Sequence, residues 1–281
     1  MLEPSIHLLN HAKQGKYAIP ALNFHNLEIL QAIIETAEKS RSPVILQISP
    51  IYLEKIGRVA AAAMAREAAK DANVPVALHL DHSDSLHWIK WALDNGFTSV
   101  MLDASSRPLD ENIALAYQTA KLAHERGATA EAELGHIGGV EDNRETGTNP
   151  DMGLADPDEA AKLVRDSGID ILAPAVGSAH GLYKRPPKID FHLIKKLAAA
   201  LKIPLVLHGG SGIPDAMVRE AISCGITKVN IGTELKVAWA RWMSEALGHE
   251  QEPWKAAVKT RAGVARVVEQ KIQMCGSAGR A

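Results

Sequence analysis

Apolar runs of seven or eight residues punctuate the chain, and each gives way to a longer stretch in which apolar positions return every three to four residues. The runs are "YAIPALN" (17–23), "PVILQIS" (43–49), "VPVALHL" (74–80), "TSVMLDA" (98–104), "ATAEAEL" (128–134), "IDILAPAV" (169–176), "IPLVLHG" (203–209) and "ITKVNIG" (226–232). Continuous apolarity over so few residues predicts strands buried on both faces. Amphipathic segments such as "NLEILQAIIETAEKS" (26–40), "NIALAYQTAKLAHERG" (112–127) and "DPDEAAKLVRDSG" (156–168) predict the intervening helices. The last of these announces its own start, with Asp156 as N-cap, Pro157 in the first helical position and Glu159 three residues after the cap. Gly127 and Gly168 supply the stops.

Strict alternation of strand and helix favours parallel strands, because a crossover helix returns the chain to the same edge each time. Eight such units predict an α/β fold closed into a (β/α)8, or TIM, barrel. A doubly wound open sheet is the alternative, but the first strand is not followed by a phosphate-binding GxGxxG. The stretch beyond about residue 235, rich in Ala, Val and Trp, predicts extra C-terminal helices. With no linker in view, residues 1–281 are expected to form one barrel domain.

Composition narrows the function. Hydrophobic residues make up 46% of the chain and charged ones 23%, which suits a globular core and excludes disorder. A formal net charge of -2 lacks the basic excess that nucleic-acid binding requires. Two cysteines, Cys224 and Cys275, support neither a disulfide framework nor a cysteine zinc site. Neither a signal peptide nor an apolar stretch of membrane-spanning length is present, so the expected setting is the cytoplasm.

The polar residues gather where the strands end. In "VPVALHLDHSDS" (74–85) an apolar run finishes in Asp81 and His82, and a carboxylate buried there without partners would cost several kcal/mol. The fourth strand ends in Asp103, the fifth in Glu133, the seventh in His208 and the eighth in Asn230, while the sixth leads to His180. Functional groups of a parallel barrel sit at this C-terminal face. One histidine alone would be read as a hydrogen-bonded core residue. Three from separate strand ends, His82, His180 and His208, match a zinc-type site with three protein ligands and open coordination. Asp103 and Glu133 either take a displaced metal or orient the imidazoles, as carboxylates beside ligating histidines do. His79, inside its strand, is expected to hold a neighbour by hydrogen bond; His7, His11, His87, His124, His192 and His249 fall on helical or flanking segments.

Glycine-rich stretches follow the last two strands, "HGGSG" (208–212) and "NIGTE" (230–234), the positions where barrels most often hold a phosphate. Backbone N–H groups freed there converge on an anion, with Ser211 and Thr233 adding hydroxyls. Between the fifth and sixth strands, residues 135–157 carry no helical or strand period. A loop that long is expected to be functional, a lid able to bring Glu141 and Asp142 to the site.

These motifs together, "LHLDH", "EAELGHIGGVED", "GSAHGLYK", "LVLHGGSGIP" and "KVNIGTELK", resemble the class II, metal-dependent ketose-bisphosphate aldolases along essentially the whole chain. "AHGLYKRPPKIDF" and "NIGTELK" are similar to the tagatose-bisphosphate branch; Gly232 stands where the other branch more often has aspartate. The resemblance implies one Zn2+ per chain on His82, His180 and His208, and admits a monovalent cation. It makes Asp81 the group that exchanges a proton at the aldehyde-derived hydroxyl and Glu141 the one acting on the ketone-derived fragment. It assigns Gly181, Gly209, Ser211, Asn230, Gly232 and Thr233 to the dihydroxyacetone phosphate portion, with Ser49 on the phosphate side. Arg261, in "KTRAGVA", is similar to an arginine that meets the distal phosphate across a subunit boundary, so a homodimer or homotetramer is expected.

The implied reaction is reversible cleavage of tagatose or fructose 1,6-bisphosphate into dihydroxyacetone phosphate and glyceraldehyde 3-phosphate. A Schiff-base mechanism would need a lysine at the mouth; Lys184 follows the sixth strand's loop and Lys228 begins the eighth strand, and neither selects itself. Two other readings compete. A non-catalytic sugar-phosphate-binding accessory barrel would show a damaged proton-transfer set, which Asp81 and Glu141 argue against. A metal-dependent epimerase or aldolase on another sugar phosphate would use the same metal.

Overall fold

In the computed structural model, residues 1–141, 144–146, 153–183 and 187–281 are described, the side chains of 140, 141 and 144–146 excepted. Eight strands close into a parallel barrel: β1 (Ile19–Asn23), β2 (Val44–Ile48), β3 (Val76–Ser83), β4 (Ser99–Leu102), β5 (Thr129–Leu134), β8 (Ile171–Pro174), β9 (Leu205–Leu207) and β10 (Ile226–Ile231). All eight coincide with the expected runs, and the ring closes where β1 pairs with β10, Ala21 opposite Asn230. The remaining two strands are a correction. Within the segment expected to lack strand period, β6 (Gly139–Glu141) and β7 (Arg144–Thr146) form an antiparallel hairpin.

Along β1, β2, β3, β8 and β9 side chains alternate between two separate apolar clusters. Leu22, Leu46, Val76, Leu78 and Leu80 belong to the cluster shared with the surrounding helices, which include α2 (Leu27–Ser40), α4 (Arg58–Asp71) and α11 (Pro253–Cys275). Ile19, Ala21, Ile45, Ala77, Ile171, Ala173 and Val206 face inward and pack with Leu8, Leu9 and Ala12 of α1 (Ser5–Gly15). The N-terminal helix therefore plugs one end of the barrel. Ser5 Oγ donates to Ser99 Oγ at 2.9 Å, and Ile6 N–H donates to Thr129 Oγ1 at 3.1 Å, fixing the plug on β4 and β5.

The expected helix signals hold locally. Asn26 caps α2 through Ile29 N–H at 3.0 Å. Asp156 Oδ1 accepts from both Asp158 and Glu159 N–H at the start of α7 (Pro157–Ser167), and left-handed Gly168 ends it. The C-terminal stretch folds as α10 (Thr233–Leu247) and α11, as the tail composition predicts. No helix among the described residues is long and apolar enough to cross a membrane.

Candidate active site

Above the apolar floor the barrel interior turns polar. Continuing inward along each strand come Asn23 of β1, Gln47 of β2, His79 and Asp81 of β3, Glu131 and Glu133 of β5, Lys228 and Asn230 of β10, all buried. Buried polar groups must satisfy one another, and these do so for the most part, with Gln47 Oε1 and Asn230 Oδ1 left without a hydrogen-bond partner among the described residues. Lys228 Nζ, fully enclosed, donates to Glu131 Oε2 at 2.6 Å and lies 3.3 Å from His79 Nε2. His79 Nδ1 is 2.7 Å from Ser99 Oγ. Lys228 is thus a core residue of β10, committed to an ion pair below the mouth; Lys184 lies outside the described residues.

Asp81 is 1% exposed at the end of β3. Its Oδ2 accepts from Asn23 Nδ2 at 2.9 Å and Gln47 Nε2 at 3.2 Å, and its Oδ1 from Asn230 Nδ2 at 3.2 Å. Three amides from three different strands hold the carboxylate as an acceptor. Asn23 and Gln47 escaped the sequence reading; their signal was a polar residue ending or interrupting a strand buried on both faces.

His82 follows in a left-handed conformation, φ 46, which swings its ring away from the direction of the strand alternation. The half-buried ring of His82 then meets His180, which follows β8, and His208, which follows β9. Ring centroids are 4.9 Å apart for His82 and His180, 4.6 Å for His82 and His208, and 5.8 Å for His180 and His208. One nitrogen of each of the three lies within 4.8 Å of the others.

The neighbouring carboxylates settle which nitrogens face inward. His82 Nδ1 is 3.0 Å from Asp103 Oδ2, and a carboxylate only accepts, so the Nδ1 side carries the proton. Burial alone would raise the Asp103 carboxyl; the His82 contact, with the hydroxyl and N–H of Ser105, overrides it and holds Asp103 well below the usual carboxylate range. By the same logic His208 Nε2, 3.2 Å from Glu131 Oε1, is the protonated side. Burial, then His82 and Lys228, push the His208 imidazolium well below its ordinary value, so the ring is neutral. His82 Nε2 and His208 Nδ1 then lie 2.9 Å apart, a hydrogen bond while His82 carries a proton there and two facing lone pairs once it gives that proton up. Such an arrangement suits a shared cation, and three neutral imidazoles are the donor set of an open zinc-type site. A second group, His82, Asp103 and Glu133, also brings ligand atoms within 4.8 Å. Ser105 Oγ bridges its two acids, 2.7 Å from Asp103 and 3.1 Å from Glu133.

Beside the histidines opens a pocket whose lining includes His180, Gly181, Gly209, Ser211, Asn230, Gly232 and Thr233. Apart from His180 these are the residues that the family resemblance assigns to the dihydroxyacetone phosphate portion, and Asn23, His25 and Lys236 join them in the lining without having been expected there. Gly209 has φ 65, and a Cβ there would stand 2.2 Å from the Ala179 carbonyl oxygen, so the β8 and β9 loops touch only because this position is glycine. Tyr183 clamps the same loops, its hydroxyl accepting from Ala179 N–H at 2.8 Å and donating to the Gly209 carbonyl at 2.9 Å. Gly232 and Thr233 open α10, whose N-terminal N–H groups favour an anion.

Two expected residues stand apart from the pocket lining. Ser49 is buried at the start of α3 (Pro50–Ile56), after β2. Arg261, on α11, donates to Gln31 Oε1 at 2.9 Å and lies 3.4 Å from Glu35, against α2 of its own chain. Glu141 is on β6, opposite Arg144; its side chain and all of Asp142 lie outside the described residues. The hairpin is anchored next to the histidines, because His180 N–H donates to the Gly138 carbonyl at 2.7 Å and Gly139 bridges to His180.

Comparison with known proteins agrees with this geometry. The family model for class-II fructose-bisphosphate aldolases matches residues 4–280. A fructose-bisphosphate aldolase of Geobacillus stearothermophilus is 42% identical over 280 residues, covering 98% of this chain and 96% of its own length. The crystal structure of the YdjI aldolase of Escherichia coli K12 superposes with a TM-score of 0.90 at 35% identity over the whole of both chains. The fructose-bisphosphate aldolase of Campylobacter jejuni, 24% identical, shares the fold with a TM-score of 0.84 over 100% of this chain and 97% of its own.

Proposed function

Since this chain belongs to the class-II fructose-bisphosphate aldolase family, we propose that it cleaves a ketose 1,6-bisphosphate reversibly into dihydroxyacetone phosphate and glyceraldehyde 3-phosphate. The observation that carries the reading is the convergence of His82, His180 and His208 beside an anion-suited pocket and a thrice-bonded Asp81. The three imidazoles would hold one zinc ion per chain, with Asp103 fixing His82 and Glu131 fixing His208; a site for a monovalent cation is part of the same proposal. Bound there, the ion would act as a Lewis acid on the C2 ketone, worth several kcal/mol to the charge that cleavage leaves beside it.

The side chains carry the remaining tasks. Asp81 accepts the C4 hydroxyl proton as the C3–C4 bond breaks and returns it to the aldehyde oxygen in condensation. Its amide partners stop it from rotating away from that proton, and Asn230, shared between Asp81 and the pocket, sets carboxylate and substrate in one frame. Glu141 supplies the proton that the three-carbon fragment needs at C3. Gly181, Gly209, Ser211, Gly232 and Thr233 receive the phosphate of that fragment, with Ser49 on the same side. In a cytoplasmic homodimer or homotetramer, Arg261 reaches the distal phosphate of a neighbouring subunit.

Coupled kinetics on tagatose and fructose 1,6-bisphosphate, side by side, test the reading. Stoichiometric triose phosphates from at least one of them are expected, with the tagatose isomer preferred on the strength of Gly232 and the "AHGLYKRPPKIDF" stretch. Epimerised hexose without trioses would contradict it.

A further inference from the structure

A cavity of about 650 Å3 opens at the end of the barrel opposite the histidines, where β10 begins at Ile226 and α1 ends. That volume lies within the range of small-molecule pockets, roughly 300–1,000 Å3. Its floor is apolar, with Ile203, Ile222 and Met274. Four cationic side chains line it, Lys13, Lys16, Arg219 and Arg280, and no acidic side chain does. In a chain of net charge -2 this is a local excess, not the mark of a basic protein.

The cations are not neutralised elsewhere. Lys16 and Arg280 make no ion pair among the described residues, and Arg219 has only Asp215, 4.0 Å away on the preceding helical turn. Arg280 is held in place over the Tyr17 ring, 5.2 Å from its centroid, which orients the guanidinium without discharging it. Lys13 donates to the Lys202 carbonyl, and partial burial lowers its ammonium from the ordinary value. Ser223 and Thr227 add hydroxyls to the lining.

We propose that this cavity is a second binding site, for a small organic anion whose phosphate or carboxylate is met by the cationic rim while an apolar body rests on the floor. Guanidinium groups match either acid in a two-bond contact. The site is separate from the mouth pocket, with which it shares no lining residue.

Calorimetric titration of the metal-loaded full chain with 1-naphthyl phosphate and with 1-naphthoate tests it, and the stronger of the two identifies the acid. Three proteins are compared: the unaltered chain, the base variant Lys16→Glu/Arg280→Glu, and the mouth variant Ser211→Ala/Thr233→Ala. Lys16 and Arg280 are exposed, so the base variant should keep its melting temperature and its cleavage activity; Arg219→Gln is a milder companion expected to weaken binding partially. Affinity for at least one probe should fall tenfold or more in the base variant and survive in the mouth variant. Undiminished binding by the base variant, equal loss in both variants, or no binding by the unaltered chain at millimolar probe would overturn the proposal.

Discussion

His79 shows what a polar residue inside a barrel commits the protein to. It is fully enclosed, and burial first, then the Lys228 ammonium, hold its imidazolium well below the ordinary 6.5. The unfolded chain binds a proton at this residue below about pH 6.5 and the folded chain does not, so the contribution to stability is complete above that pH and is lost as pH falls. The slope is about 1.4 kcal/mol per pH unit for one such group. Denaturant unfolding of the metal-free protein between pH 7 and 5 should therefore show stability falling with acidification, and His79→Asn should flatten the slope by about that amount. An unchanged slope in the variant would place the lost protons elsewhere. At this scale the sequence was partly readable. Asp81, His82, His180 and His208 stood out because titratable groups ended apolar runs. Asn23, Gln47 and the Lys228–Glu131 pair did not, because only closure of the ring brings separate strands' inward positions within hydrogen-bond distance, and a polar residue inside one strand does not reveal its partner on another.

Strands and helices were more legible than the segment between β5 and α7. Eight continuous apolar runs could only be buried on both faces, and caps such as Asn26 and Asp156 act within four residues, so local sequence determines them. The β6–β7 hairpin has strands of three residues each, too short for a period to register. Its placement depends on a contact remote in sequence, from Gly138 and Gly139 to His180. A Cβ on Gly139, at φ 115, would stand 2.2 Å from the His180 carbonyl oxygen. Gly139→Ala should displace either the hairpin or the histidine. Outer contacts that hold a metal ligand are typically worth 10–100-fold in metal affinity; equilibrium dialysis should show zinc binding weakened by at least about tenfold, with the barrel still folded. Unaltered affinity would mean that the hairpin and His180 are independent.

At the scale of the whole molecule, the barrel divides its length by polarity. Leu8, Leu9 and Ala12 close one end of an apolar interior, and the C-terminal halves of β1, β2, β3, β5 and β10 convert the other end into a buried polar lattice. That division lets adjacent residues of β3 take different work: Asp81 points into the lattice, while left-handed His82 turns toward His180 and His208. The central claim is this separation of proton transfer from metal holding, and metal content with single-turnover cleavage of the bisphosphate, measured on Asp81→Ala and His82→Asn, tests it most directly. Asparagine tolerates the left-handed backbone at position 82, so that variant should fold. Asp81→Ala should retain its zinc and cleave at least about a hundredfold more slowly, in line with loss of a general acid or base, and His82→Asn should lose zinc and cleavage together. Cleavage at the unaltered rate by zinc-loaded Asp81→Ala, or full zinc occupancy with normal turnover in His82→Asn, would contradict the account.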